Sequence, residues 1–255
     1  MAEDSIDRIA ETWAANYKQS RRFLGTTAML CEDLLGLYRR IGESAGAADS
    51  RTTEQQAAFT VLLMACQRHL SAACITVMQG RITDGYVLTR SAVEACATAR
   101  LCFSDATLAQ AWLETPIEDS RTRRAMFSTG KLFPADTDND NLKLLRSKFS
   151  FISAQAHSSI FSVARGLKAT MGTTAPVFWT CEIHTPGDLP AAFIGVIDTH
   201  AVMIRVFAEV LAGCLDAPLV KEIRDIEDRI RRHEGKWRSE TEARLERKES
   251  VVAPR

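Results

Sequence analysis

Apolar residues recur at intervals of three and four along almost the whole chain. Between residues 54 and 79, one such series comprises Phe59, Leu62, Leu63, Cys66, Leu70, Ala73 and Val77. These intervals match the turn of an α-helix and place the side chains on one face that must be covered. A chain of 255 residues, 46% of them hydrophobic, can bury a sizeable core. The sequence therefore predicts an all-α fold, a single helical bundle of six or seven helices.

Breaks in the periodicity set the expected helix boundaries. The helices are predicted at about 5–42 (bent near Gly25), 54–79, 84–103, 105–127, 141–168, 188–215 and from Pro218 onward. Pro116 should kink or restart the fourth helix, because proline cannot donate the backbone hydrogen bond. Residues 172–188 lose the helical period, and apolar side chains alternate with other residues there at Val177, Trp179, Cys181 and Ile183. This alternation predicts a short extended segment near 175–184.

The last helix differs from the others in its charge. Ten basic and nine acidic side chains cover residues 219–249. Its apolar face follows a heptad pattern through Leu219, Ile223, Ile226, Ile230, His233 and Trp237. This pattern predicts packing either on the chain's own bundle or against a second subunit. We accordingly divide the chain into a bundle with a long N-terminal helix, residues 1–215, and a charged C-terminal helix with a frayed tail, residues 216–255.

Charge, cysteine content and the N-terminal sequence limit the cellular compartment and the kinds of partner that we expect for the protein. Thirty-two basic and thirty-two acidic side chains cancel, so nucleic-acid binding would need a local basic patch. The seven cysteines include no C-x-x-C pair and are interpreted as reduced core residues. The N-terminal MAEDSIDR lacks the basic and apolar regions of a signal peptide, and charges interrupt the short apolar stretch 201–215. We expect a soluble cytoplasmic protein that does not contact a membrane.

No sequence pattern predicts a metal or a cofactor. The helix-borne zinc motif H-E-x-x-H is absent, because no two histidines share a helical turn. The stretch DTDNDN, residues 136–141, superficially resembles a calcium loop but has Asn141 and Ser147 where that loop needs glycine and glutamate. We interpret it as an acidic loop that caps the fifth helix.

Two full charges stand out in the third helix, in the stretch TRSAVEACATARLCF. Arg90 and Glu94 lie four residues apart and therefore on one helical face, among small apolar neighbours. A helix this poor in polar surface should be largely covered, and a covered charge left unpaired costs several kcal/mol. Three interpretations stay open: a buried structural pair, a surface pair, and a pair that acts on a ligand.

Ser153 and His157 repeat this spacing on the fifth helix, in FSFISAQAHSSIF. An imidazole titrates near neutral pH, which suits proton transfer or contact with phosphate. The alternative is a half-buried histidine hydrogen-bonded to a neighbouring helix. Ser153 could act as a nucleophile only if a base were aimed at it. His69 and His200 are interpreted as core histidines.

The order of these motifs resembles a known group of proteins. The Arg-x-x-x-Glu of RSAVEA is followed about sixty residues later by the Ser-x-x-x-His of ISAQAH, then by an irregular segment and two long helices. Over about residues 55–215 this resembles an uncharacterised group of bacterial helical proteins related to the HEPN superfamily (higher eukaryote and prokaryote nucleotide-binding domains). The resemblance implies a helical bundle that forms a homodimer. Many members are metal-independent ribonucleases of toxin and phage-defence systems, and others are inactive binding or scaffold modules.

The catalytic signature of that superfamily, an arginine followed after four to six residues by a histidine, is absent here. The nearest approach, Arg229 to His233, has three residues between. The resemblance therefore implies an interaction module that binds RNA, a nucleotide or a protein partner, in bacterial defence or stress, without a cofactor. The alternative is a metal-independent ribonuclease whose site is assembled in space. Arg90 would then hold a phosphate, Glu94 would orient Arg90, and His157 would act as acid, base or donor, with Ser153 beside them.

Overall fold

The computed structural model describes residues 6–46, 51–116, 118–156 and 188–252, with the side chains of residue 241 and residues 244–252 excepted. Its helices are α1 (Ile6–Leu24), α2 (Met29–Gly46), α3 (Thr53–Met78), α4 (Ile82–Ser104), α5 (Ala106–Glu114), α6 (Ser120–Met126), α7 (Thr129–Leu132), α8 (Asp140–Ala156), α9 (Asp188–Val210) and α10 (Ala217–Val252). All regular structure in these residues is helical, which confirms the predicted all-α bundle. Seven of these helices are long and three are short. The extended segment expected near 175–184 lies outside the described residues.

The α3–α4 hairpin forms the centre of the bundle. Helix α9 packs against both of its arms, α2 and α8 flank it, and α10 lies against α9 and α2. Small buried side chains let the helices approach closely: Cys66 Sγ donates to Ala92 O at 3.3 Å, and Cys96 Sγ donates to Met203 O at 3.8 Å. Burial raises the pKa of both thiols, so they behave as neutral core groups.

Two glycines make the α3–α4 reversal possible. Gly80 has a φ of 89°, a conformation that side chains rarely adopt. Gly85 lies on the first turns of α4, where an added Cβ would stand 2.5 Å from Val77 Cγ2. The sequence GRITDG, residues 80–85, therefore encodes both the turn and the close contact of the two helices.

Two of the predicted long helices are interrupted. The helix expected over 5–42 is divided into α1 and α2 by a 3₁₀ turn, Gly25–Ala28, at the predicted bend. The helix expected over 105–127 ends at Glu114, before Pro116, and α6 restarts at Ser120. Helix α7 adds one turn between the helices predicted at 105–127 and 141–168. Asn139 Oδ1 caps α8 by accepting from Leu142 N at 2.8 Å.

The apolar seam of α10 packs on the chain's own bundle. Leu219, Ile223, Ile226, Ile230 and Trp237 are all buried. Of the two alternatives predicted for this helix, the structure shows the first for the described side chains.

Among the residues that the structure describes, two helices are long and apolar enough to cross a membrane by length and composition alone. In α9, 72% of the apolar window is buried inside the protein, whereas in α3 only 44% is buried. Core helices pass this test too, and α9 has the burial expected of one. Helix α3 leaves more of its apolar surface uncovered.

Candidate functional site

Arg90 and Glu94 form the ion pair that their spacing predicted. Arg90 Nε lies 3.3 Å from Glu94 Oε1, and the two side chains are 30% and 44% exposed. The pair is thus neither sealed in the core nor fully solvated. It lies at the edge of α4, where a ligand in solution can reach it.

Helix α8 faces this pair. The Arg90 guanidinium carbon lies 5.4 Å from the centre of the Phe149 ring, within cation–π distance. Tyr86, one turn before Arg90, meets Phe151 edge to face, and the two contacts together indicate that α4 and α8 run antiparallel. Ser153 follows Phe149 by one turn, and its Oγ is sealed from solvent with no hydrogen-bond partner among the described residues. The structure therefore brings Arg90 against Phe149 of α8 and places Ser153 one turn further along, on the side away from Glu94, while His157 lies outside the described residues.

A second group of polar side chains lies on α10. Arg229, Arg232, His233 and Lys236 line a pocket of about 320 Å³. The spacing of three, one and three residues puts all four on one helical face. They border the buried seam of α10, so their stems are supported by the bundle.

Hydrogen bonds fix the imidazole in this pocket. Trp237 Nε1 donates to Thr27 Oγ1 at 3.0 Å, and the same oxygen lies 2.9 Å from His233 Nδ1. A hydroxyl oxygen can accept two hydrogen bonds and donate one, so Thr27 Oγ1 can bond to Nδ1 in either neutral tautomer of the imidazole.

Electrostatics keep this histidine neutral. Burial lowers the pKa of His233, and the nearby cations Lys236, Arg229 and Arg232 lower it further. Some of the positive charge is compensated: Arg229 pairs with Asp33 at 2.6 Å. The Lys236 ammonium lies 3.9 Å from Glu240, and Arg232 Nε donates to a backbone oxygen, Asp228 O. The pocket therefore keeps a net positive charge and several N–H donors.

Sequence reasoning missed the α10 pocket because it averaged charge over the whole helix. Nearly equal numbers of acidic and basic residues concealed the fact that four basic or imidazole side chains share one face. Helical periodicity applied to charges, as it was to apolar residues, would have found the cluster. Its contact with Thr27 needed the tertiary structure, because that residue is about two hundred positions away.

Other candidate residues are structural. His200 is fully buried and bonds to Tyr38, as expected for a core histidine. Arg205 pairs with Glu227 of α10 at 3.0 Å and not with Glu209, which lies one turn along its own helix. Glu209 instead accepts from the amides of Asn139 and Asn141.

Two further pockets are larger and are lined by both acidic and basic side chains. The larger, about 690 Å³, lies between α4, α8, α9 and α10, and ion pairs such as Lys148–Asp198 occupy its wall. The other, about 550 Å³, surrounds the Arg205–Glu227 pair. Within the described parts of the chain, no group of three or more histidine, cysteine or acidic side chains is placed to hold a metal ion.

Comparisons with family models, curated proteins and solved structures give no match to this chain. The fold and the two polar sites therefore define the class: an all-helical bundle with an ion pair between α4 and α8 and a basic pocket on α10. What the protein does must be argued from these residues.

Proposed function

We propose that this chain is an all-helical binding module whose ligand carries phosphate, either RNA or a nucleotide. The observation that carries the proposal is the cluster on α10, in which Arg229, Arg232 and Lys236 share one helical face with His233 and line an open groove. A role in bacterial defence or stress rests on the family resemblance alone.

The electrostatics of the pocket favour phosphate over anions with fewer acceptor atoms. A chain without net charge has no global field to attract nucleic acid, so affinity must come from a local cluster of cations. Arginine offers a planar fork of donors that matches phosphate oxygens, and the His233 imidazole adds a further hydrogen-bonding group. Together they favour an oxygen-rich anion with several acceptors.

Fluorescence anisotropy with a labelled oligouridine, and calorimetry with ATP, test this proposal on the full chain. The double variant Arg232→Gln/Lys236→Gln should weaken oligouridine binding roughly tenfold. The slope of affinity against salt concentration should also become shallower, by about 0.7 for each phosphate that the variant no longer neutralises. The matched control is Lys221→Gln/Arg238→Gln, which removes two exposed cations from the same helix.

The outcomes distinguish phosphate binding at the α10 site from diffuse electrostatic attraction to the whole helix. Weakening by the first double variant and not by the control supports the pocket. Equal weakening by both variants would show diffuse electrostatics, and no binding of either probe would remove the function altogether. If ATP binds and oligouridine does not, the ligand is a nucleotide.

The α4–α8 site supports a second function, metal-independent cleavage of RNA. The specific observation is the Arg90–Glu94 pair, whose arginine lies over the Phe149 ring of α8. In this proposal Arg90 would hold the scissile phosphate, Glu94 would orient Arg90, and His157 would act as acid, base or hydrogen-bond donor. The reaction needs no metal, so cleavage should persist in EDTA.

Variants of Arg90 and His157 test the ribonuclease. Arg90→Ala and His157→Ala should each abolish cleavage of a labelled RNA while the melting temperature stays nearly unchanged. Arg81→Ala is the matched control, because Arg81 also pairs with an acid, Asp84, at 2.6 Å and lies over an aromatic ring, that of Trp13. Loss of cleavage in the control as well, or early unfolding of both site variants, would count against this site.

A further inference from the structure

Helix α3 presents a heptad stripe to solvent. The stripe consists of Glu54, Ala57, Val61, Met64, Arg68, Ser71 and Ile75, at alternating intervals of three and four. Val61, Met64 and Ile75 are 52%, 55% and 44% exposed. All seven residues are exposed or partly exposed, while the opposite face of α3 is in the core.

This stripe has the pattern of a coiled-coil seam. Alternating intervals of three and four place apolar side chains at the positions that pack into a facing helix. A helix that served only as an outer wall of a bundle would carry charges on this face. In α3, however, a stretch that is apolar enough to span a membrane is only 44% buried. The uncovered surface therefore needs an occupant.

Charge complementarity identifies that occupant. Thr53–Met78 contains only two charged residues, Glu54 and Arg68, and both lie on the stripe. In a parallel pair of α3 helices, each charge would face its own copy and repel it. In an antiparallel pair with Val61 opposite Met64 of the second copy, Arg68 lies opposite Ala57, one turn from Glu54. The charges then attract on both sides of a two-fold axis.

We propose that the α3 stripe is the interface of a homodimer in which two α3 helices pack antiparallel. The stripe is self-complementary, as a two-fold interface requires. Helix α4 extends the surface, because Val87 is 44% exposed and is followed on the same face by the small residues Ser91 and Ala95. Small side chains there let the two α3–α4 hairpins approach closely. This interface is independent of the phosphate pocket on α10.

Sedimentation velocity of the full chain over a range of concentrations tests the interface. The wild type should be a dimer. Val61→Glu should shift it to monomer, because each axis-proximal Val61 would be replaced by a charge that must be buried. Leu113→Glu is the matched control, since Leu113 is also exposed, at 42%, but lies on α5. It should leave the dimer intact.

A charge exchange tests the antiparallel register. Arg68→Glu should weaken dimerisation at least tenfold, because it places two acids together at each end of the seam. Adding Glu54→Arg should restore most of the affinity, since the attraction is then re-formed with reversed signs. Both residues are exposed, so circular dichroism should show unchanged folding of the monomer.

Each remaining outcome overturns the proposal. A monomeric wild type, or a dimer that tolerates Val61→Glu, excludes this interface. A failed rescue by the exchange excludes the antiparallel register. If the wild type is monomeric and floats with phosphatidylcholine vesicles, and Val61→Glu abolishes that flotation, the stripe contacts lipid and no second copy.

Discussion

Tyr38 Oη lies 2.9 Å from His200 Nδ1 at the centre of the bundle, and both side chains are sealed from solvent. The Nε2 of this imidazole has no partner among the described residues. Burial lowers the pKa of His200 from its ordinary 6.5 to about 3, and the nearby His69 contributes to the decrease. The fold therefore contains a histidine that must be neutral.

This histidine should make stability depend on pH. Because the folded-state pKa is below the unfolded value of 6.5, the stabilisation is complete above that pH and is lost as pH falls toward 3. The free energy of unfolding should fall by up to about 1.4 kcal/mol per pH unit in that window. Urea titrations at several pH values measure this change in the free energy of unfolding. In Tyr38→Phe/His200→Phe the dependence should flatten, and an unchanged slope would show that the carboxylates alone cause it.

Two glycines in helices should respond to alanine with opposite signs. At Gly85 the new Cβ would meet Val77 Cγ2 at 2.5 Å, so Gly85→Ala should lower the free energy of unfolding by about 1–3 kcal/mol. At Gly36, inside α2, no atom lies within 4 Å, and Gly36→Ala should raise it by about 0.5–1 kcal/mol. Urea midpoints of the two variants check both values. Two shifts of the same sign would refute the close α3–α4 contact.

Substituting Gln55 should destabilise the protein more than substituting Thr52, the N-cap residue with which it forms a capping box. Thr52 Oγ1 accepts from Gln55 N at 3.2 Å, and Gln55 Oε1 accepts from Thr52 N at 3.1 Å. The Gln55 amide also donates to Phe103 O at 2.7 Å, which ties the start of α3 to the end of α4. Thr52→Ala should cost about 1 kcal/mol. Gln55→Glu keeps the capping box but faces Phe103 O with a buried carboxylate, so it should cost about 2–3 kcal/mol at neutral pH. If Thr52→Ala and Gln55→Glu lower the stability equally in thermal unfolding, that result would argue against the hydrogen bond from Gln55 to Phe103 O.

The sequence predicted the features of this fold that depend on neighbouring residues. Helical periodicity located α3 to within about a residue at each end, and Pro116 marked the break between α5 and α6. The Arg90–Glu94 pair was predictable for the same reason, since residues one turn apart share a face.

Contacts between distant segments were not predictable. Arg205 takes its partner from α10 and not from its own helix, because side-chain exposure and helix packing decide which carboxylate is nearer. The bond from Thr27 to His233 likewise joins the α1–α2 turn to α10. Such pairs follow from how helices cross, which a one-dimensional pattern does not specify.

The Thr27–His233 bond gives the last prediction, the pH dependence of phosphate binding. Burial and nearby cations lower the pKa of His233 in the free protein, and a bound phosphate would favour the protonated ring and raise that pKa. Binding then takes up a proton, so affinity for oligouridine should rise as pH falls toward the lowered pKa of the free ring, while its phosphodiesters keep the same charge. His233→Asn should remove this rise. Thr27→Val should lower stability by about 1–3 kcal/mol, because it leaves Trp237 Nε1 without its acceptor. Thr27→Ser should retain both the rise in affinity at low pH and the stability of the wild type. A pH-independent affinity in the wild type would place the phosphate away from His233.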